Sequence, residues 1–289
     1  MHGPVLFVIN PIAGDHPVEP FLQELDRWAN QQDEKVSRYQ TCGHEDDANI
    51  REILLSEVID LLVAVGGDGT LQMCAVLARE MDLKLGHIPR GSANGMAEEL
   101  NLPAQVTPAL RILERGRIRH CDMLRFPGER YGFHISDIGL NAALVGYYQQ
   151  SGRRGFLAYA SGIGRVLSDQ RPFRVVWHCN GQRHEEMALM VALANARHYG
   201  SGAVLNTIGK PDDGLFELCV LRELGLTTVA RHFLDLLDED SEHLAVYQCN
   251  KLSLQLDRPV EFQIDGEVQD ATLELEVEIA PRCLKMIVP

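Results

Sequence analysis

Hydrophobic positions in the first hundred residues follow two alternating periods. Val5 to Ile9 is a continuous apolar run of strand length, after which Phe21, Leu22, Leu25, Trp28 and Ala29 fall on one helical face. Lys35 to Gln40 reads as a second strand. Ile50, Ile53, Leu54 and Val58 mark another helix ahead of the strand Asp60 to Val65, and Leu71, Cys74, Ala75 and Ala78 then repeat at helical spacing. Strands separated by helices pair in parallel, because each crossover needs a helix's length. The pattern predicts a β-α-β-α-β-α layer with helices on both faces of a parallel sheet.

Near residue 120 the texture changes. Phe173 to Cys179, the pair Asn180-Gly181 and a run through Met187 to Ala194 predict a hairpin with a tight turn. In "ATLELEVEIA", Leu273, Leu275, Val277 and Ile279 alternate with Glu274, Glu276 and Glu278, which predicts a strand with one packed and one wet face. Helical insertions are expected near 141–168 and 226–238. The fold class is therefore α/β plus all-β: an α/β domain over 1–119, and a mostly antiparallel β-rich domain over 120–289 whose last strand, Leu284 to Val288, can return to the first lobe.

Composition narrows the function classes. A net charge of -14 argues against nucleic acid as a partner and against wholesale attraction to an anionic membrane. No segment approaches the ~20 apolar residues of a membrane span. The apolar N-terminus has neither a basic leader nor a small-residue cleavage site, so a cytoplasmic protein is expected, with any membrane contact local. Seven cysteines without CxxC spacing predict reduced, mostly buried thiols. The eleven histidines show no metal-binding spacing.

The chemistry concentrates in two glycine turns. "AVGGDGTLQM", 64–73, ends a buried strand in glycines that open a helix. Such a junction leaves backbone N–H groups unpaired at the positive end of the helix dipole, and glycine lets a phosphate reach them. Neither GxxxxGK[ST] nor GxGxxG fits, since Gln72 stands where a third glycine would be. Asp68 and Thr70 add groups able to meet a metal or a phosphate. "LGHIPRGSANGMAEELNLP", 85–103, supplies a strand, a Gly91-Ser92 turn and a helix opening with Asn94; Ser92 reads equally as helix cap or ligand contact. Both turns are expected at the carboxyl edge of one sheet, where open α/β folds bind ligands.

With "NPIAG" at 10–14, Thr41 before an acidic helix start, "GGDGTL" at 66–71, "LGHIPRGSANG" at 85–95, Asp122 before a strand, "GSGAVLNTIGKPDDGLFELCVL" at 200–221 and "QIDGEV" at 263–268, the chain resembles the diacylglycerol kinase catalytic-domain family of lipid kinases, which shares a fold with NAD kinases. The resemblance covers nearly the full length. It implies a C-terminal β-sandwich and an ATP- and Mg²⁺-dependent kinase acting on a lipid hydroxyl at a membrane surface, at the inner face of the membrane, with a homodimer left open. It further implies nucleotide contacts from Asn10, Thr41, Gly66, Gly67, Asp68, Gly69, Thr70, Ser92 and Asn94. Glu267 would be the general base, with Asp68 also catalytic, and Asp122 would face the catalytic magnesium. A structural magnesium would take the carbonyls of Lys210 and Leu215 and the carboxylate of Asp213, although spacing alone reads this stretch as an Asp-Gly turn. Two positions depart from the family pattern: Ser92 replaces threonine, and Gly95 replaces an aspartate of the active-site network. An NAD kinase-like or other small-molecule kinase and a non-catalytic nucleotide- or lipid-binding protein remain the alternatives. The segment 146–167, with Tyr147, Tyr148, Phe156 and Tyr159 beside Arg153 and Arg154, reads either as a lipid entrance or as an ordinary amphipathic helix pair.

Overall fold

The computed structural model describes residues 3–14, 17–32, 35–140, 171–197, 208–222 and 243–289. The helical insertions expected near 141–168 and 226–238, and with them the aromatic and arginine segment 146–167, lie outside the described residues. The chain divides into two compact units, one running to Cys121 and including Arg282–Pro289, the other formed by the described residues between Asp122 and Pro281.

In the first unit the strands β1 (Val5–Ile9), β2 (Val36–Gln40), β3 (Leu61–Gly66) and β4 (Lys84–Pro89) are all parallel, in the order β4-β3-β1-β2. They alternate with the helices α1 (Glu19–Ala29), α2 (Asp46–Ser56), α3 (Asp68–Glu80), α4 (Gly95–Glu99) and α5 (Val106–Arg115). Every residue of β1 and β3 is buried, as expected of strands covered on both faces. On one face Phe7, Val63 and Ile88 pack under Phe21 and Leu25 of α1 and Leu110 and Leu113 of α5. Trp28 seals the α1–α5 seam by donating its indole N–H to Glu114 at 2.7 Å. Helix α3 covers β3 and β4. Val58, expected on the second helix, lies past its end and is exposed.

The second unit is a β-sandwich. Its strands are the continuation of β5 (Arg117–Phe126), then β6 (Arg130–Gly132), β7 (Ile135–Gly139), β8 (Phe173–Cys179), β9 (Gln182–Ala188), β10 (Met190–Ala194), β11 (Phe216–Leu221), β12 (Leu244–Cys249), β13 (Lys251–Ile264) and most of β14 (Glu267–Val288). Strand β13 makes the corner. Its first half pairs with β8 over Leu252–Leu256, its second half pairs with β7 at Phe262 and Gln263, and the register shifts between Gln255 and Val260 let it pass from one partner to the other. Trp177, Phe173, Phe216 and Phe262 fill the core. The end of β14 leaves this unit and pairs in parallel with β4 at Lys285 and Met286.

Three expectations need correction. The apolar run through Met187 to Ala194 is two strands: β8 and β9 form the hairpin across Asn180-Gly181, both at positive φ as a tight turn requires, and Leu189 then breaks the chain into β10. Leu273 is exposed, so the packed face of β14 begins at Leu275. The cysteines are not all thiols: Cys179 and Cys249 form a disulfide between the ends of β8 and β12, 70 residues apart. Sequence spacing could not reveal it, because the two strands meet only through the folded sandwich. Among the described residues, no helix is long and apolar enough to cross a membrane.

Candidate functional site

Parallel pairing places the carboxyl ends of β1 to β4 along one edge, and four turns begin there: Asn10 follows β1, Thr41 follows β2, Gly66 closes β3 and Arg90 follows β4. Asn10 donates its backbone N–H to Val65 and Thr41 donates its own to Ile9, so both turns extend the sheet before leaving it. The Asn10 amide reaches the Thr70 hydroxyl at 3.4 Å and accepts the Ile12 N–H at 3.1 Å, which links the first loop to α3.

The two glycine turns touch. Gly67, extended at φ -92°, is the N-cap of α3, and its backbone lies against Gly91. A Cβ built on Gly91 would stand 2.5 Å from the Gly67 Cα, and one on Gly66 would stand 2.4 Å from the Thr70 hydroxyl. Gly69 differs: a Cβ there meets nothing within 4 Å. Glycine is thus required at 66 and 91 by packing and tightly fitted at 67, whose Cβ would stand 3.1 Å from the Gly91 Cα, whereas at 69 the space is open among the described residues. Arg90 braces the second turn from below, lying 5.4 Å from the Phe21 ring centroid and donating to the Pro17 carbonyl at 3.2 Å.

Asn94 and Ser92 separate in role. Asn94, at φ 55°, accepts the Gly91 N–H at 2.9 Å and donates to the Gly91 carbonyl at 2.6 Å, so its amide closes the turn. It is the N-cap residue of α4, which leaves the exposed Ser92 hydroxyl uninvolved in capping. Gly95 is buried as the first residue of α4.

Sequence reasoning passed over Asp46. Its carboxylate accepts the N–H groups of Cys42 at 2.9 Å and Gly43 at 2.7 Å and the Tyr39 hydroxyl at 2.8 Å, holding the loop that carries Thr41. Burial pushes this carboxyl up, but the hydrogen bonds outweigh it and hold the group below the ordinary aspartate value. The signal available in sequence was an acid five residues after Thr41.

In the second unit Asp122 is fully buried, and its Oδ2 accepts the Gly214 N–H at 2.7 Å while its own N–H meets the Pro211 carbonyl at 2.7 Å. It therefore shapes the turn that holds Lys210, Asp213 and Leu215. Asp213 is exposed and takes the Leu215 N–H on one carboxylate oxygen at 3.0 Å. Buried Asn195 donates to the carbonyls of Asp122 and Phe133, each at 2.9 Å, and so joins that turn to the next feature. Asp265, at φ 47°, presents its carboxylate to the N–H groups of Phe133 at 2.5 Å and His134 at 3.1 Å. The Gln263 side chain accepts the Gly266 N–H. Glu267 then begins β14, exposed, on a turn tied down at three points. A cleft of about 730 Å³ elsewhere in this unit, lined by Arg130, His178, Gln255 and Asp270 among others, contains none of these residues. Among the described residues, no group of three or more His, Cys, Asp or Glu side chains is placed to hold a metal.

Comparison with known proteins matches residues 4–126 to the diacylglycerol kinase catalytic domain and residues 137–288 to the YegS C-terminal NAD kinase beta sandwich-like domain. The chain is 25% identical to a "Probable lipid kinase YegS-like" from Serratia proteamaculans, with 99% of this chain and 94% of the relative covered. It is 26% identical to a "Diacylglycerol kinase" from Bacillus subtilis, with 90% and 88% covered. A solved diacylglycerol kinase structure from Bacillus anthracis str. Sterne superposes with a TM-score of 0.78 over 99% of this chain and 97% of that one, at 20% identity, a likeness of fold.

Proposed function

The chain belongs to the family that joins a diacylglycerol kinase catalytic domain to a YegS-type β-sandwich-like domain, and from that premise we propose that it is an ATP-dependent lipid kinase. The reaction is transfer of the γ-phosphoryl group of ATP to a hydroxyl of a lipid such as a diacylglycerol or a sphingoid base, presented at a membrane surface. The observation that carries the nucleotide half is the contact between the turns at Gly67 and Gly91, which builds one glycine-lined edge with open space at Gly69 where phosphate oxygens can meet backbone N–H groups.

Asn10, Thr41, Thr70 and Ser92 surround that edge with amide and hydroxyl groups, and Asn94 keeps the second turn in shape. Asp68 is the carboxylate that would hold magnesium beside the phosphates, where the ion would neutralise charge developing on the leaving group, whereas Asp122 is buried with its carboxylate on the Gly214 N–H and acts through the turn it shapes. The Lys210 and Leu215 carbonyls and Asp213 form an all-oxygen donor set, which suits a hard ion such as Mg²⁺ in a structural site. Glu267 would accept the proton of the attacking hydroxyl. Phosphoryl transfer demands a positioned proton acceptor more than a strong base, and the turn anchored by Asp265 and Gln263 supplies the positioning.

Gly95 favours a second reading, a nucleotide- or lipid-binding protein without turnover, because a hydrogen stands where the family pattern has a carboxylate. The test is transfer of labelled γ-phosphate from Mg·ATP to monoacylglycerol, diacylglycerol, sphingosine, ceramide and NAD, with Glu267→Ala beside the wild type. Label in one lipid, lost in Glu267→Ala, supports the kinase. Label in NAD alone overturns the lipid acceptor. Nucleotide binding with no labelled product, together with activity in Gly95→Asp, establishes the second reading.

A further inference from the structure

His87 is a polar side chain in the middle of a buried strand. Its neighbour Ile88 belongs to the core beneath α1 and α5, so strand alternation turns His87 to the opposite face of β4, the face that α3 covers. The ring is 2% exposed and its Nδ1 lies 3.0 Å from the carbonyl of Ala64, the β3 residue in register with it. Burial pushes its pKa down to about 4, so the imidazole is neutral, carries its proton on Nδ1 toward Ala64, and offers Nε2 as an acceptor. Among the described residues, Nε2 is buried and meets no hydrogen-bond partner. The same holds for Oδ1 of Asp68, the first residue of α3, whose charge acts on the His87 ring.

Two acceptors cannot bond each other. Each needs a hydrogen, and a buried polar atom without one costs about 1–3 kcal/mol. A water molecule is the smallest group that donates two hydrogens, and buried waters occupy such polar sites. We propose that His87 is a positioning residue for Asp68: one buried water donates a hydrogen to His87 Nε2 and another to Asp68 Oδ1, fixing the carboxylate so that Oδ2 is presented to the magnesium-nucleotide. What Asp68 holds rests on the kinase reading; the His87–water–Asp68 link does not.

Four variants test it: His87→Leu, which fills the space without an acceptor; His87→Gln, whose carbonyl reaches the Nε2 position; Asp68→Asn; and the double variant His87→Leu/Asp68→Asn. Affinity for Mg²⁺ with a non-hydrolysable ATP analogue is measured by calorimetry, beside thermal unfolding. Loss of a group that orients a metal ligand weakens metal affinity about 10–100-fold, so His87→Leu should bind the complex about 10–100-fold more weakly. His87→Gln should restore most of that affinity, and His87→Leu should cause no further loss in the Asp68→Asn background. Equal losses in both backgrounds, or full affinity in His87→Leu, overturn the proposal. Should His87→Leu fail to fold, His87→Asn, which reaches only the Nδ1 position, takes its place. Nitrogen-15 NMR of the His87 ring reads the link without any nucleotide: an Nδ1–H tautomer with Nε2 shifted as a hydrogen-bond acceptor, and a changed Nε2 shift in Asp68→Asn. An Nε2 shift identical in wild type and Asp68→Asn overturns the link. The expected shifts in a wild type that binds no nucleotide uphold it and overturn the kinase reading alone.

Discussion

Gly69→Ala and Gly91→Ala separate a phosphate cradle from a tight turn. At Gly91 the added Cβ would sit 2.5 Å from the Gly67 Cα, while carbon atoms rest at about 3.5–4.0 Å. The two turns must therefore part by about 1 Å or more, and overpacking of this kind costs roughly 1–3 kcal/mol. At about 2–4 °C per kcal/mol for a domain of this size, Gly91→Ala should lower the melting temperature by several degrees. Gly69 lies in the first turn of α3, where among the described residues its would-be Cβ meets nothing within 4 Å apart from its own helix backbone and chain neighbours. Alanine there should leave the fold intact or stabilise it by up to about 1 kcal/mol through helix propensity. The new methyl would nevertheless occupy the space through which a phosphate reaches the backbone. Calorimetric titration with Mg·ATP and differential scanning on both variants provide the readouts. Gly69→Ala should melt at or above the wild-type temperature yet lose nucleotide affinity, whereas Gly91→Ala should lose both. A Gly69→Ala protein that binds Mg·ATP as tightly as wild type would refute the cradle, because no phosphate could then be approaching that backbone.

Three further outcomes follow from particular contacts. Asp265→Ala strips the acceptor from the Phe133 and His134 N–H groups, each loss costing about 1–3 kcal/mol if unanswered, so it should lower both the melting temperature and any phosphoryl transfer that depends on Glu267. Asp46 has a folded pKa below its unfolded value; its stabilisation is present above the unfolded pKa and is lost as pH falls through the folded one. Denaturant unfolding at pH 7 and at about pH 2–3 should accordingly show a smaller drop for Asp46→Asn than for wild type, since only the latter has this carboxylate to protonate. Reducing the Cys179–Cys249 bond, which closes 70 residues, should destabilise the sandwich by about 2–4 kcal/mol, read as a lower melting temperature in reductant that Cys249→Ser reproduces without it.

The α/β layer was legible because its signals are local. The runs Val5–Ile9 and Leu61–Val65 are too apolar for anything but doubly covered strands, and the glycines after Val65 and Arg90 mark where those strands end. The chemistry-bearing turns could be placed on one edge from the parallel pairing alone. What remained hidden depended on distant pairs. Asp265 meets Phe133 across 132 residues, Asn195 meets Asp122 across 73, and Cys179 finds Cys249 across 70, so none of these leaves a periodicity. His87 was hidden differently. It occupies an apolar strand position, and only its buried Nε2, without a hydrogen-bond partner among the described residues, distinguishes it from a core residue. Asn94 is expected as a nucleotide contact from its place in the turn, and what the sequence does not show is its two bonds to Gly91, by which the amide also holds that turn.

Strand β14 ends beside β4, so the first unit contains Arg282–Pro289, made long after its other strands. A ribosome making about 5–20 residues per second needs roughly ten to thirty seconds to pass from Cys121 to Arg282. For that interval the outer edge of β4 waits, with its backbone groups open to any extended segment that comes near. The edge next to it at Pro89 and Arg90, proposed above to hold nucleotide, gains this neighbouring strand only once Arg282–Pro289 have been made. A nascent chain should therefore acquire its ability to bind nucleotide only after residues 282–289 have emerged, late and in one step, although most of the residues concerned were made first.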